Sequence, residues 1–345
     1  MRKVTALAFL SILAISCKKE TTKITKVDEK TGKIVTVEVP KDSVKTVEEH
    51  PAIKDSLGVY HQTFKLEIGK TYPFTTFQKQ VMTVTAPDGK SQSGTNEGTD
   101  EVSFTVNGYK DHVYDMTINF ISKKAVQSGN GKSLVIDTKQ SSPKEEALKQ
   151  EWAMQKALTE NKLQMKMDDK GKILSITGFD PVYAKITKTL SGLTKDQKII
   201  NGMKENMKNS FNEKTLKEQF SKNILILPAK GAKIGEQWVE NEKMSADGKV
   251  NLKTTYTLTS VGNGVATISI KGGIPNKTEK QSQGGITHSM SSELAQNGTI
   301  TFDQNTGWIK NQNISVKTTQ KESMTDGKQS QSMTSTTTTS IKVNP

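Results

Sequence analysis

The sequence predicts a mainly β fold with helices, of the α+β class, in which two related antiparallel β-meander lobes are joined by a helical segment. Alternating apolar and polar residues recur beyond residue 60, and Asp-Gly or Asn-Gly pairs separate many of these runs. Such alternation is typical of strands with one buried face, and the glycine pairs suit tight hairpin turns. Helical patterns, in contrast, cluster between residues 140 and 227. We therefore expect a curved sheet or a sandwich-like body.

The composition limits the chemistry that the chain can perform. It has 345 residues, of which 32% are hydrophobic and 6% aromatic, and its formal net charge is +13. A single cysteine excludes a disulfide framework and a cysteine-based zinc site. The histidines lie far apart in the sequence, at His50, His61, His112 and His288. We therefore expect no metal site and no cofactor.

The first residues predict an export signal with a lipid attachment site. Two basic residues precede an apolar stretch at 4–15, which is shorter than the about 20 residues needed to span a bilayer. The stretch ends in Ala14-Ile15-Ser16-Cys17, which resembles the lipobox of bacterial lipoproteins. The resemblance implies a signal peptide at 1–16 that is cleaved before an acylated Cys17. The alternative is an ordinary secretory signal followed by a cysteine without this role.

The segment after the cysteine is expected to be a tether between the membrane and the body. It is rich in Lys, Thr, Glu and Val, and residues 33–39 alternate like a strand. Residues 28–32, Asp-Glu-Lys-Thr-Gly, are typical of a turn. A small hairpin is therefore predicted at 24–39.

Two copies of one short motif predict an internal repeat. Ile68-Gly69-Lys70-Thr71-Tyr72 resembles Ile234-Gly235-Glu236-Gln237-Trp238, and each motif precedes a pair of strands around a glycine turn. Each copy continues with a strand, an acidic glycine-containing turn and another strand, at 163–173 and at 299–309. The alternative is that any two β-meanders look alike.

Three or four helices are predicted to interrupt the strands. Ser142-Pro143-Lys144-Glu145 has the pattern of a capping box and predicts an inserted helix at 142–161. Asp180-Pro181 starts a second helix, and Thr194-Lys195-Asp196-Gln197 is another capping box. Pro228 ends this helical connector because proline cannot continue a helix.

These signals divide the chain into consecutive segments. We predict the signal peptide 1–16, the lipidated cysteine and tether 17–59, a first β lobe 60–180, a helical connector 181–227 and a second β lobe 228–345. The second lobe ends in a Ser- and Thr-rich tail at 317–345, for which Asp326-Gly327 predicts a polar C-terminal hairpin. A disordered stalk is the alternative for this tail.

The sequence contains no evident catalytic constellation, so we expect a protein that is not an enzyme. His112 follows Asp111 in a predicted hairpin, and His288 lies in a Ser-rich strand with only Glu293 as a nearby carboxylate. Gly131-Lys132-Ser133 matches the end of a phosphate-binding loop, but the leading glycine is replaced by Val126. The expected catalytic, cofactor-binding and metal-binding residues are therefore none.

Two groups of residues have alternative interpretations: acidic residues that suit either a turn or a calcium site, and apolar residues that suit either a core or a cavity. Asp168-Asp169 and Asp303 begin acidic turns, for which turn chemistry is a simpler explanation than calcium binding. Ile286, Met290 and Leu294 share strand parity, as do Ile300 and Phe302, so they line either an apolar cavity or a plain core.

The positive charge does not predict binding to nucleic acid. The connector at 181–227 is rich in lysine but contains no arginine, and aromatic residues for base stacking are scarce. Solvated helix faces explain the lysines, and attraction to anionic lipid or lipopolysaccharide is the alternative.

The lipobox, the tether, the repeated Gly-[Lys/Glu]-x-[Tyr/Trp] motif and Ser141-Ser142-Pro143 together resemble a family of uncharacterised Bacteroidota lipoproteins with a domain of unknown function. The resemblance implies a lipid-anchored, β-rich cell-envelope protein at the outer membrane. In that phylum, export to the surface resembles a process that reads acidic residues just after the cysteine, and Lys18-Lys19-Glu20 offers one acid and two bases, so we expect the protein to face the periplasm rather than the surface. It supplies no catalytic residues.

The function predicted from the sequence is therefore a non-catalytic binding or structural role at the membrane. The expected partners are the membrane itself, through acylated Cys17, and an apolar ligand or an envelope protein, with no nucleic acid. Two alternatives remain open: an envelope hydrolase whose site is hidden in the sequence, and an adhesion or stress factor that acts through partner surfaces.

Overall fold

The structure is a computed structural model that describes residues 21–27, 34–40, 51–245 and 250–345. The chain divides into two compact units, residues 1–49 and residues 50–345. The predicted signal peptide and Cys17 lie outside the described residues. Among the residues described, no helix is both long enough and apolar enough to cross a bilayer.

The first unit contains a pair of strands in the predicted tether. β1 (Thr21–Val27) pairs antiparallel with β2 (Ile34–Pro40), from Thr21 opposite Pro40 to Val27 opposite Ile34. This pairing lies where the sequence predicts a small hairpin.

The second unit combines strands, many of them long, with a group of helices. Its strands are β3 (Ile53–Ser56), β4 (Val59–Gln62), β5 (Thr71–Thr85), β6 (Ser91–Lys110), β7 (Val113–Gly129), β8 (Lys132–Asp137), β9 (Asn161–Asp168), β10 (Ile173–Thr177), β11 (Gln237–Lys243), β12 (Asn251–Gly262), β13 (Val265–Gln283), β14 (Ile286–Asp303), β15 (Ile309–Thr325) and β16 (Ser330–Val343). Its helices are α1 (Glu146–Leu158), α2 (Phe179–Leu193), α3 (Gln197–Ser210) and α4 (Glu213–Ile224). The prediction of a mainly β protein with helices is confirmed.

One antiparallel sheet of twelve strands contains both predicted lobes. Its order is β10-β9-β7-β6-β5-β16-β15-β14-β13-β12-β11, with β8 paired to β7, while β3 and β4 form a separate hairpin. The structure does not confirm two separate lobes, because β16 hydrogen-bonds β15 on one side and β5 on the other. The C-terminal strand therefore joins the two meanders into one continuous surface.

The two copies of the repeated motif have equivalent backbone hydrogen bonds. Gly69 donates its N–H to the carbonyl of Val106 at 2.8 Å, and Gly235 donates to that of Leu258 at 2.7 Å. Both glycines have a φ of +85°, which residues with a Cβ rarely adopt. The motifs therefore open the two halves of the sheet in the same geometry.

The buried side chains form one cluster on one face of the sheet, which we call the inner face. Phe74 and Phe104 from the sheet meet Phe220 from α4 in mutual edge-to-face contacts, with ring centroids 5.0–5.9 Å apart. Trp308 packs against Phe104 at 5.2 Å. In the part of the chain where burial is described, from residue 51 onwards, the buried residues run from Ala52 to Val343, and they form a hydrophobic core within residues 50–345.

The helices begin later than the two predicted capping boxes require. α1 starts at Glu146, and its N-cap Glu145 makes no side-chain capping bond. Ser142 is therefore not the N-cap, because the backbone carbonyl of Glu145 is the first to accept helical N–H groups, from Leu148 and Lys149.

α3 also begins later than its predicted capping box, which starts at Thr194. Asp196 is the N-cap of α3, and its carboxylate accepts from the N–H of Lys198 and Ile199. Thr194 instead accepts from the N–H of Asp196 through its hydroxyl. A carboxylate is the better acceptor for two N–H groups at a helix N-terminus, where the dipole favours negative charge.

Candidate functional site

Several strands of the sheet continue past the helices that cover its core. In β13, Ala266, Ile268 and Ile270 are buried on the inner face, whereas the residues from Lys277 onwards are exposed. In β14, Ile300 and Phe302 are buried, whereas Met290 is exposed. The end of the sheet beyond the core, which we call the distal sheet, is therefore a single layer.

An apolar pocket lies where the helices end and the distal sheet begins; we call it the junction pocket. Its volume is about 130 Å³. Its apolar walls come from β5, β6 and β7 and from the helical region, namely Phe74, Val102, Phe120, Leu158, Phe211, Leu216 and Phe220. Phe120 and Phe211 meet edge to face across it, with ring centroids 5.3 Å apart.

Charged residues at the junction pocket are held in ion pairs. Lys123 donates to Asp100, and both residues line the pocket. Glu101 also lines it and accepts from the ammonium group of Lys139 at 2.6 Å. This hydrogen bond holds the pKa of Glu101 below its usual value, so the carboxylate is ionised at neutral pH and the charges at the pocket are balanced.

The inner face continues from the junction pocket along the distal sheet. Thr76 and Asp100 line the pocket and lie opposite each other on β5 and β6. The next pairs along the same face are Gln78 with Gly98, Gln80 with Asn96 and Met82 with Gly94. Met82, Val84 and Leu134 belong to the lining of a shallow cleft there of about 490 Å³.

A second cleft lies on the inner face of the distal sheet in the other half of the molecule, and we call it the methionine cleft. Its volume is about 690 Å³. His288, Met290, Met324 and Met333 line it, together with Glu279 and Glu322. The methionine side chains are 49%, 46% and 39% exposed in chain order, which is unusual for an apolar side chain that packs in a core.

The apolar residues of β14 that are predicted to line either a cavity or a core are divided between the core and the surface. Ile300 and Phe302 are buried in the core, so the core interpretation applies to them. Ile286 and Met290 are exposed on the distal sheet, and Leu294 is half-buried between them and the core. The strand β14 therefore contributes both to the hydrophobic core and to the exposed distal sheet.

His112 forms a cluster with Tyr109, which is near it in sequence, and with Asp169, which is 57 positions away. Its Nδ1 is 2.8 Å from Asp169 Oδ2, and the hydroxyl of Tyr109 donates to the same oxygen at 3.1 Å. The side chain of His112 is 83% exposed. No Ser or Thr hydroxyl hydrogen-bonds to it among the described residues, so the cluster offers a base and a carboxylate without a nucleophile.

His288 is not associated with the carboxylate that the sequence places near it. It lies opposite Met324 on β15, whereas Glu293 is an odd number of positions away and therefore points to the other face of the strand. Within the described part of the chain, no group of three His, Cys, Asp or Glu side chains is arranged to hold a metal ion.

The remaining sequence motifs occupy turns. Asn130 and Gly131 have positive φ in the turn between β7 and β8, so the Gly-Lys-Ser segment leads into a strand instead of the helix that a phosphate cradle needs. Asp168 Oδ1 accepts the N–H of Lys170, and Asp303 Oδ1 accepts that of Asn305, both at 3.0 Å. These aspartates stabilise Asx turns.

The junction pocket could not be found from the sequence. Its walls come from residues 74 to 220, and its phenylalanines have no common spacing. The only signal is that Phe211 interrupts the lysine-rich helical pattern between α3 and α4.

Comparison with known proteins identifies the family of the chain. Residues 111–309 match the model of a family described as a family of unknown function, DUF6263. No curated protein matches the chain in sequence.

The similar solved structures are distant. A lipovitellin structure, described for its lipid–protein interactions, is 10% identical over 80% of this chain and 25% of its own chain, with a TM-score of 0.35. An outer membrane channel from Pseudomonas putida F1 is 9% identical over 84% of this chain and 100% of its own, with a TM-score of 0.16. This chain thus spans about a quarter of the lipovitellin chain, and scores this low carry no argument about function.

Proposed function

The chain belongs to the family of unknown function DUF6263, and from that premise we propose a non-catalytic, lipid-anchored cell-envelope protein whose body binds an elongated apolar molecule such as an acyl chain. The observation that carries the proposal is the junction pocket, a cavity with a phenylalanine-rich apolar wall that adjoins the open inner face of the distal sheet.

The apolar wall of the junction pocket suits the apolar end of an acyl chain. Seven of the fifteen residues that line the pocket are aromatic or aliphatic, and the other eight are polar or charged. Asp100 and Glu101 are paired with lysines, so the phenylalanine-rich wall is the part that suits an apolar group. An apolar cavity of about 150 Å³ can hold benzene. A cavity of about 130 Å³ therefore takes the end of an acyl chain and not a whole lipid.

The distal sheet offers a surface for the rest of the molecule. Beyond the pocket, the inner face runs past Gln78 and Gln80 to Met82 and Val84. A strand rises about 3.3 Å per residue, so the eight residue-to-residue steps from Thr76 to Val84 extend over about 26 Å. This length accommodates an extended chain of long-chain fatty acid size.

The anchor and the location follow from the N-terminal pattern. An acylated Cys17 would hold the body at the outer membrane on the periplasmic side, within reach of lipids. The other roles considered from the sequence, an envelope partner that docks on the body and an adhesion or stress factor, become the interpretation if no apolar ligand binds.

The test uses residues 50–345, which form a compact unit with its own hydrophobic core. The protein is purified from a bacterial host, extracted with solvent and examined by mass spectrometry, and the delipidated protein is titrated with a fluorescent fatty acid. We expect co-purified acyl chains and saturable binding of the probe. A clean extract together with no probe binding would overturn the proposal.

Two matched variants locate the site. Thr76→Trp places an indole at the junction pocket, whereas Thr75→Trp adds the same side chain at the neighbouring position, which faces the other side of the strand. We expect Thr76→Trp to weaken probe binding at least tenfold and Thr75→Trp to leave it unchanged. Equal binding by both variants would place the probe elsewhere and contradict the proposed site.

A further inference from the structure

The methionine cleft brings three thioether groups and one imidazole together on one sheet face. Met324 on β15 lies directly opposite His288 on β14, and Met290 is two residues from His288 on the same face. Met333 on β16 lies opposite Glu322, which is itself opposite Met290. Side chains that lie opposite each other have Cβ atoms about 5 Å apart and diagonal neighbours about 7–8 Å apart.

The thioethers of these residues are accessible to a ligand. Methionine has three rotatable bonds and a polarisable sulfur, so long side chains on neighbouring positions can turn their sulfur atoms towards one point. None of the three methionines belongs to the buried core. Packing therefore does not explain why methionine, and not the Ser or Thr common elsewhere on the distal sheet, occupies these positions.

We propose that His288, Met290, Met324 and Met333 form a binding site for a soft monovalent metal ion, Cu(I) or its chemical analogue Ag(I). Thioether sulfur is a soft ligand that selects Cu(I), and imidazole nitrogen also suits copper. The site needs no cysteine, and residues 50–345 contain none, because the single cysteine of the chain is Cys17.

The charges around the cleft are compatible with a single positive charge. Glu279, Lys280 and Glu322 line it, and Glu279 is paired with Lys277 at 2.7 Å. Hard divalent cations prefer several carboxylate and carbonyl oxygens, and the described residues contain no such group of three acidic or histidine side chains. The donor set therefore favours a soft ion of low charge.

The experiment measures Cu(I) affinity with untagged residues 50–345 under reducing conditions. The protein competes with bicinchoninate for Cu(I), and the methionine methyl signals are followed by NMR during titration with Ag(I). We expect the wild-type protein to withdraw one Cu(I) per chain and three methyl signals to shift together. No withdrawal of Cu(I) from the indicator would overturn the proposal.

Matched methionine variants separate metal binding from a merely apolar surface. The triple variant Met290→Leu, Met324→Leu, Met333→Leu keeps three apolar side chains but removes every thioether of the cleft. The control triple variant Met82→Leu, Met203→Leu, Met244→Leu changes three exposed methionines elsewhere. We expect at least tenfold weaker Cu(I) binding in the first and unchanged binding in the second.

The result is independent of the apolar ligand proposed above. The cleft variant should still bind the fluorescent fatty acid, because the junction pocket is intact. Equal Cu(I) affinity of the two triple variants would overturn the metal site. If the cleft variant fails to fold, the three single variants and the methyl shifts of the wild-type protein decide the question.

Discussion

The side-chain amide of Gln62 donates to the carbonyl oxygen of Gly307 at 3.0 Å, across 245 positions of the chain. The same amide nitrogen donates to Ile224 at 2.8 Å, and its oxygen accepts from the N–H of Ile226 and Leu227. One buried side chain therefore connects the β3–β4 hairpin, the end of α4 and the turn between β14 and β15.

Replacing Gln62 should destabilise the body more than an exposed substitution does. Gln62→Ala leaves two buried N–H groups and two carbonyls without this partner, and a buried polar group without a partner costs about 1–3 kcal/mol. We expect the free energy of unfolding, measured with urea, to fall by about 2–4 kcal/mol. Gln92→Ala on the exposed distal sheet is the control, with an expected change below about 0.5 kcal/mol.

Gly307 should not tolerate alanine. Its φ is +74°, and a Cβ built on it would lie 2.0 Å from the carbonyl oxygen of Thr63. Gly89 has a φ of +81° but nothing within 4 Å of such a Cβ. The unfavourable φ alone costs about 1–2 kcal/mol, which we expect for Gly89→Ala.

The additional cost at Gly307 comes from backbone contact, because a carbonyl oxygen cannot move away as a flexible side chain does. We expect the Gly307→Ala change to exceed the Gly89→Ala change by about 2 kcal/mol, in the range of overpacked sites. Thermal unfolding of both variants measures this difference. Equal destabilisation would show that the turn relaxes to accommodate the methyl group.

Tyr256 should make the folded body less stable at high pH. It stacks on Trp238, with ring centroids 5.6 Å apart, and its hydroxyl is 3.5 Å from Glu240. Burial, aided by the charge of Glu240, raises the pKa of Tyr256 to about 12. In the unfolded chain the phenol ionises near its ordinary pKa of about 10.

Above pH 10, then, the unfolded state has released a proton that the folded state keeps, so the free energy of unfolding falls as the pH rises towards about 12. Tyr256→Phe removes this titration, and we expect its stability to fall less between about pH 9 and about pH 11. Urea unfolding at both pH values measures the effect. A parallel fall in the variant and the wild type would assign the pH dependence to other groups.

Cys17 should decide whether the protein is attached to the membrane. Intact mass spectrometry of the protein from the native membrane fraction is expected to show a mature chain that begins at an acylated Cys17. Cys17→Ala should release the protein from that fraction, because about 0.8 kcal/mol per buried CH₂ is then lost. An unmodified wild-type chain in the culture medium would contradict both the anchor and the proposed location.

The sequence predicts the local features well because local physical rules produce them. The repeated motif at Gly69 and Gly235 corresponds to two equivalent hydrogen bonds, since the positive φ that each requires is encoded by the glycine itself. Asp326-Gly327 lies in the turn between β15 and β16 for the same reason. The capping boxes fail because a cap depends on where the chain enters the helix, which the motif alone does not specify.

Alternation, turns and the repeat were therefore determined by the sequence alone, because each depends on neighbouring residues. The tertiary structure decided the rest: that β16 joins β15 to β5, that Phe120 meets Phe211 at the junction pocket, and that His288 lies opposite Met324. These contacts depend on strand register and on packing between distant segments. A shift of one residue in register would turn every side chain of a strand to the other face, so no local pattern could specify either site.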